Sequence, residues 1–162
     1  MKIIFMFMLF VSTVIFAQTN EKKDRTLMVQ ILLKNNLKIS NEITKSIKTS
    51  AESILTDYKY LIIDEQVQNQ ALKEQSEQRK KECYDESCLV DTGKMLAASK
   101  LVIIEIFAEN KKYKFVTSVI DIETGSKIAT NTNWFKDDIT DGELLDNAVK
   151  EFMLNLINKT TK

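Results

Sequence analysis

The sequence of 162 residues contains no histidine and no proline, and it has only two cysteines and three glycines. Without histidine neither a Ser-His-Asp triad nor a Cys-His pair can form, and the commonest zinc ligand is missing. Two cysteines cannot close a structural zinc site by themselves. The glycines, Gly93, Gly125 and Gly142, lie too far apart for a phosphate-binding loop or a dinucleotide-binding motif. The sequence therefore predicts no catalytic residue, no metal ligand and no cofactor.

The composition indicates a single domain and argues against a nucleic-acid partner. The 23 basic and 23 acidic residues are interleaved along the chain, whereas binding to phosphates needs a concentrated basic surface. The length suits one domain with a core of its own. No proline-rich or Gly/Ser-rich stretch marks a boundary between two domains.

The first 17 residues have the pattern of an export signal, in which Lys2 is followed by an uncharged apolar run that ends at Ala17. The run of about 14 residues is shorter than the ~20 needed to cross a bilayer. We therefore expect cleavage after Ala17, no stable membrane span afterwards, and a periplasmic or secreted protein. No cysteine lies near the cut, so a lipid-modified amino terminus is not expected. The predicted organisation is a signal peptide over 1–17, a flexible segment over 18–25 and one α/β domain over 26–159.

The hydrophobic period changes in an orderly way in the first half of the domain. An apolar run over 27–33 predicts a buried strand. Apolar residues then recur every three to four positions after Ser40, a favourable helix cap, which predicts an amphipathic helix over 41–56. The run over 58–64 is rich in aromatic and β-branched residues, so it predicts a second strand.

Two helices of different character are expected next. The segment over 65–81 is highly polar, with only Val67, Ala71 and Leu72 available for an apolar stripe, and predicts a largely solvated helix. A short helix that carries Gly93 follows. Glycine inside a helix is unfavourable by up to ~1 kcal/mol relative to alanine, so we expect close packing against a neighbouring backbone there.

The second half predicts three strands and a last helix. Strands are expected over 101–107, 113–121 and 127–135, and Gly125 lies in the second turn, where a hairpin needs a positive φ. The third strand alternates in a way that suits an edge or half-covered position. Thr140 and Glu143 have the spacing of a capping box at the start of the last helix. The predicted fold is an α/β two-layer sandwich with a mixed sheet of about five strands, in the order β-α-β-α-α-β-β-β-α.

The two cysteines, Cys83 and Cys88, are five residues apart. On a continuous helix their Cα atoms would be roughly 8 to 9 Å apart, whereas a disulfide needs less than ~7 Å. A bond therefore requires a turn between them, with Asp85 or Ser87 capping the next helix. An oxidising compartment favours the disulfide over two free thiols. A redox pair is the weaker interpretation, because the spacing is not Cys-x-x-Cys and no histidine can hold a thiolate.

Several segments together resemble a known group of proteins. They are 72–75, the cysteine corner, 91–103, and 113–125 with its Asp-x-x-Thr-Gly turn. They are similar to exported bacterial proteins with a domain like the amino-terminal domain of TolB, including the curli-secretion lipoprotein and the lipoprotein activator of penicillin-binding proteins. The resemblance implies a non-enzymatic protein-interaction or assembly module of the cell envelope. It carries over Cys83, Cys88 and Gly93 as structural positions and supplies no catalytic residue.

Three functional hypotheses follow. The first is an envelope protein that binds another protein, with Trp134 and Phe135 as the candidate surface, although aromatic residues on a half-covered strand are more often core. The second is a module that binds a small ligand or an envelope polymer, which needs an apolar pocket. The third and most remote is a metal-assisted hydrolase that uses Asp137 and Asp138.

Overall fold

The computed structural model of the protein describes residues 25–83, 85–110, 112–136 and 138–160. The predicted signal peptide over 1–17, its cleavage point and residues 18–24 of the predicted flexible segment lie outside the described residues. Asp137 lies outside them as well. In the described part of the chain no helix combines the length and the apolar character needed to cross a membrane.

The order of helices and strands is the one that the hydrophobic pattern predicts. Along the described residues the elements are β1 (Thr26–Leu33), α1 (Asn41–Asp57), β2 (Leu61–Ile62), α2 (Glu65–Arg79), α3 (Glu86–Met95), β3 (Lys100–Glu109), β4 (Lys112–Asp121), β5 (Lys127–Phe135) and α4 (Gly142–Thr160). The predicted order β-α-β-α-α-β-β-β-α is thereby confirmed.

The strands form one mixed sheet in the order β2-β1-β3-β4-β5. β1 is parallel to both of its neighbours, whereas β3, β4 and β5 form an antiparallel meander. The strand predicted over 58–64 is much shorter than expected, because Asp64 already caps α2 by accepting hydrogen bonds from the backbone N–H groups of Gln66 and Val67. β2 therefore pairs with only the first residues of β1.

Successive side chains of β1 and β3 enter different hydrophobic clusters, as expected for strands covered on both faces. The larger cluster lies between the sheet and helices α1 and α4. Its strand residues include Leu27, Val29, Val102, Ile104, Ile106 and Phe115. The smaller cluster joins Met28, Leu32, Leu101, Ile103 and Ile120 to Leu89 of α3. The sheet and the helices α1 and α4 form the two predicted layers. On the other face of the sheet α3 adds a partial third layer.

Helix α2 buries Ala71 and packs Leu72 against the smaller cluster as predicted, but it differs from the prediction at two other positions. Val67, expected in the apolar stripe, is exposed, whereas Gln68 is fully buried. The Gln68 side-chain amide donates to the carbonyl oxygen of Ile63 at 2.6 Å, and its oxygen accepts from Gln30 of β1 at 2.7 Å. A buried amide is tolerated because it is hydrogen-bonded. These polar contacts hold the start of α2 against β1, whereas Ala71 and Leu72 supply the apolar contacts further along the helix.

The cap of α4 is one residue later than the capping-box spacing suggests. Asp141, not Thr140, accepts a hydrogen bond from the backbone N–H of Leu144 at 3.1 Å. The N–H and hydroxyl groups of Thr140 both donate to Asp138 instead. Thr140 is therefore used in the turn before the helix, and the predicted Thr140–Glu143 capping box is not formed.

Gly93 lies on the side of α3 that faces the end of β4. A Cβ atom at this position would be 2.5 Å from Cδ1 and 3.3 Å from Cγ1 of Ile122, and Ile122 is itself buried. Close packing is thus the reason for glycine inside this helix, although the neighbour is a side chain and not the backbone that we expected.

We expect Gly93→Ala to destabilise the protein by about 1–2 kcal/mol, because overpacking against Ile122 outweighs the better helix propensity of alanine. Urea unfolding followed by circular dichroism measures the change. Gly142→Ala is the matched control, since nothing lies within 4 Å of a Cβ there. Equal stability of the two variants would contradict the packing explanation.

Candidate functional site

One face of the β3–β4–β5 meander is only partly covered by helices. α3 packs over the end that contains Leu101, Ile103 and Ile120. Towards the other end of the same face the side chains are half-buried or exposed. We call this region the open sheet face, and it consists of Phe107, Lys114, Val116, Thr132 and Trp134.

The centre of the open sheet face is a ladder of three side chains on three neighbouring strands. In the sheet register Lys114 lies opposite Phe107 of β3 and opposite Trp134 of β5. Its Nζ atom is 5.7 Å from the centre of the Phe107 ring and 5.9 Å from that of Trp134. Both distances are within the range of cation–π attraction, which holds the lysine between the two rings.

A shallow cleft of about 230 Å³ adjoins Trp134 at the end of the meander. Its other lining residues are Glu109, Asn110, Lys112 and Lys136. Together with Lys114, this gives three basic side chains and one acidic side chain around an indole ring. The surface is therefore aromatic and locally positive, although the net formal charge of the whole chain is zero.

The structure separates the two residues that the sequence singled out as a surface. Trp134 is 45% exposed on the open sheet face. Phe135 is 4% exposed and belongs to the larger cluster, where its ring meets Phe115 edge-to-face with centroids 6.5 Å apart. Adjacent residues of a strand point to opposite faces of the sheet, so only Trp134 can take part in an external contact.

The cysteine corner lies at the start of α3, on the face of the sheet that α3 covers. Cys83 and Cys88 form a disulfide with Cα atoms 5.5 Å apart, and both residues are buried. Asp85 caps α3 by accepting from the backbone N–H of Cys88 at 2.8 Å. This hydrogen bond and that from Lys81 lower the pKa of Asp85. The corner thus fixes the start of α3 and presents no free thiol.

Gly125 lies in the turn between β4 and β5 and has a φ of +67°, which glycine adopts without strain. Asp121 organises this turn by accepting from the backbone N–H and the hydroxyl of Thr124, each at 2.8 Å. These hydrogen bonds lower the pKa of the Asp121 carboxyl. Gly125 and Asp121 thus both serve to shape this turn.

The acidic residues considered for metal-assisted hydrolysis do not form a site in the described residues. Asp138 accepts hydrogen bonds from the backbone N–H and hydroxyl of Thr140, which lower its pKa. Its partner in the hypothesis, Asp137, lies outside the described residues. In the described ranges no cluster of three or more Cys, Asp or Glu side chains is arranged to hold a metal ion.

Sequence reasoning did not single out Lys114 or Phe107. Their alignment with Trp134 depends on the register of two strand pairs, which neither residue type nor local spacing reveals. The turn at Gly125, with its positive φ, is the one local feature of the sequence that bears on this register, because a turn limits how β4 and β5 can pair.

Comparison with known proteins identifies the fold. No protein-family model matches the chain, and no curated protein sequence matches it. Among solved structures, the LpoB C-terminal domain from Salmonella enterica gives a TM-score of 0.52 at 13% identity, covering 70% of this chain and 84% of that one. Lipoprotein GNA1162 from Neisseria meningitidis gives 0.55 at 11% identity, over 78% and 95%. The predicted resemblance to this group of bacterial proteins is confirmed for the fold.

Removal of the disulfide by changing Cys83 and Cys88 to alanine should lower the free energy of unfolding by about 2 kcal/mol, the chain-entropy value for so short a loop. Urea unfolding of the oxidised protein and of the double variant measures the difference. Addition of a thiol reductant should destabilise the parent protein similarly and leave the variant unchanged. A variant as stable as the parent would show that the corner does not depend on the bond.

The opposite environments of Trp134 and Phe135 give a matched pair of variants. Trp134→Ala should lower the stability by less than ~1 kcal/mol, because much of the ring is already in solvent, whereas Phe135→Ala should lower it by ~3–5 kcal/mol. Thermal unfolding followed by circular dichroism measures both. In the parent protein, Trp134 is the only tryptophan, so acrylamide quenching reports its exposure directly. A poorly quenched tryptophan would contradict the assigned surface.

Proposed function

We propose that the protein is a non-enzymatic, exported cell-envelope protein that binds another protein through the open sheet face. The observation that carries this proposal is the ladder of Phe107, Lys114 and Trp134, in which Trp134 is exposed and the other two side chains are half-buried. Aromatic residues are enriched in protein interfaces because they bury a large area with little loss of conformational entropy. Here Lys114, which lies between the two rings, also restricts their movement before a partner binds.

The charge of this surface indicates the kind of partner. Lys112, Lys114 and Lys136 surround Trp134, with Glu109 as the acidic member of the cleft. Complementary charge raises association rates and selects against wrong partners. We therefore expect a partner surface with apolar groups for the rings and an excess of acidic residues around them.

The absence of enzymatic activity is supported by the residues themselves. The chain has no histidine, and the described aspartates with lowered pKa values, Asp85, Asp121 and Asp138, each accept hydrogen bonds in their own cap or turn. A carboxylate held ionised in this way is a poor general acid at neutral pH.

Export is supported by the signal pattern over 1–17 together with the disulfide at Cys83 and Cys88, because disulfides persist in oxidising compartments. The proposed location is accordingly the periplasm or the exterior of the cell. The alternative of a small-ligand module has less support at Trp134, because the cleft of about 230 Å³ is smaller than the ~300–1,000 Å³ of ordinary ligand pockets.

A pull-down tests the proposal. Protein comprising residues 18–162 is crosslinked in an envelope extract and the captured proteins are identified by mass spectrometry. We expect one envelope protein to be enriched and to decrease about tenfold or more with Trp134→Ala, because central aromatic residues contribute most of the binding energy in interfaces.

Leu144→Ala is the matched control, since Leu144 is also 45% exposed but lies on α4, away from the open sheet face. Equal loss of the captured protein with both variants would move the binding surface elsewhere. Capture of no envelope protein by a stably folded bait would contradict the proposed function.

A further inference from the structure

A second feature of the molecule lies at the edge of β1. β2 contributes only Leu61 and Ile62 to the sheet, and its pairing with β1 ends at Leu27. On the other side, β1 pairs with β3 as far as Leu33. In the described part of the chain, β1 therefore has a neighbouring strand on one side only from Met28 to Leu33.

The backbone groups on the free side can be identified from the hydrogen bonds at the two ends of β1. The carbonyl oxygen of Leu27 accepts from Ile63 on the β2 side, whereas the N–H of Lys34 donates to Ile106 on the β3 side. Because alternate residues of a strand face alternate sides, the N–H and C=O groups of Ile31 and Leu33 face the free side. Such groups are a template for an additional strand.

This free edge forms the floor of a groove of about 410 Å³. Helix α1 supplies one wall and helix α2 the other. The lining residues are Gln30, Ile31 and Leu33 on the floor, Asn41, Thr44, Lys45 and Lys48 from α1, and Glu65 and Asn69 from α2. The volume is within the range of pockets that bind ligands.

The walls are held in place without a ligand. Lys48 of α1 forms an ion pair with Glu65 of α2, with 3.3 Å between Nζ and Oε1. Gln68, one turn further along α2, is fully buried and hydrogen-bonds to Gln30 and to the backbone of Ile63. A groove of fixed width needs little reorganisation when it binds, which favours affinity.

The two walls of the groove carry opposite charges, with Lys45 and Lys48 on α1 and Glu65 on α2. Lys45 is exposed and forms no ion pair with any described residue, whereas Lys48 is already paired with Glu65. Glu52 lies one turn beyond Lys48 and is half-buried. Burial raises the pKa of its carboxyl, and the nearby charge of Lys48 offsets part of this rise. Lys45 is therefore the available charge of the α1 wall.

We propose that this groove binds an extended, acidic segment of a partner protein, which adds as a strand to β1 by hydrogen bonds to Ile31 and Leu33 and places a carboxylate near Lys45. Main-chain hydrogen bonds supply affinity in this mode, and side chains next to the edge supply selectivity. The inference rests on the proposed function of protein binding, but it concerns a different surface from the open sheet face.

The test uses a seven-residue peptide with blocked ends in which valine alternates with glutamate. It is titrated into ¹⁵N-labelled protein that lacks only the predicted signal peptide. We expect saturable shifts of the Ile31 and Leu33 amide signals, and slower hydrogen exchange of these amides in the complex. Two control peptides are used, one with lysine in place of glutamate and one N-methylated at alternate peptide nitrogens.

Lys45→Glu should weaken binding of the acidic peptide roughly fivefold and strengthen binding of the lysine peptide, because one exposed attraction becomes a repulsion. Lys150→Glu is the matched control, since Lys150 is exposed on α4 and does not line the groove. The N-methylated peptide should not bind, because it lacks the required N–H donors.

Three outcomes of the titration would overturn the inference: no shift at millimolar peptide, binding that is unaffected by N-methylation, or binding that is unaffected by Lys45→Glu. Concentration-dependent dimerisation that blocks the peptide would also overturn it, since a second copy would then occupy the groove. These outcomes are distinguishable from a failure of the proposed function, because the titration reports on Ile31 and Leu33 at the groove, whereas the pull-down tests the open sheet face through the loss of capture with Trp134→Ala.

Discussion

The parallel pairing of β1 with β3 is the interaction on which the other parts of this structure depend. It joins seven residue pairs, from Leu27 and Lys100 to Leu33 and Ile106, across two strands that are far apart in sequence. Both strands carry apolar side chains on both faces, so the pair belongs to both hydrophobic clusters. α1 and α4 pack on one side of this pair and α3 on the other, and neither cluster would be continuous without it.

The two candidate binding surfaces lie where the sheet around this central pair is incompletely covered. On the β3 side, the meander extends beyond the region that α3 covers, which leaves the open sheet face with Trp134 in solvent. On the β1 side, the cap at Asp64 starts α2 early, which shortens β2 and leaves the edge at Ile31 and Leu33 without a strand. Both candidate sites are thus parts of the sheet that the helices leave uncovered, and the sheet supports them.

The two surfaces differ in the contacts that they offer. The open sheet face presents side chains, with two rings held by Lys114, and suits a folded partner with a complementary patch. The groove presents backbone hydrogen-bonding groups between two helices and suits a single extended segment. A protein with both could hold a folded domain and a flexible segment of the same partner, or bring two partners together, and linked binding of this kind gains from effective concentration.

The sequence by itself determined the order of elements, the mixed sheet and the absence of histidine chemistry, because periodicity and composition are local properties; it left the cap of α3 open between Asp85 and Ser87, and the structure places it at Asp85. The sequence did not determine which side chains meet. Val67 is exposed and Gln68 is buried because the hydrogen-bond partners of Gln68 lie in β1 and at Ile63, just after β2. Trp134 and Phe135 are separated, and Lys114 is placed between two rings, by strand register. Register and helix coverage depend on contacts between residues distant in sequence, so only the tertiary structure could decide them.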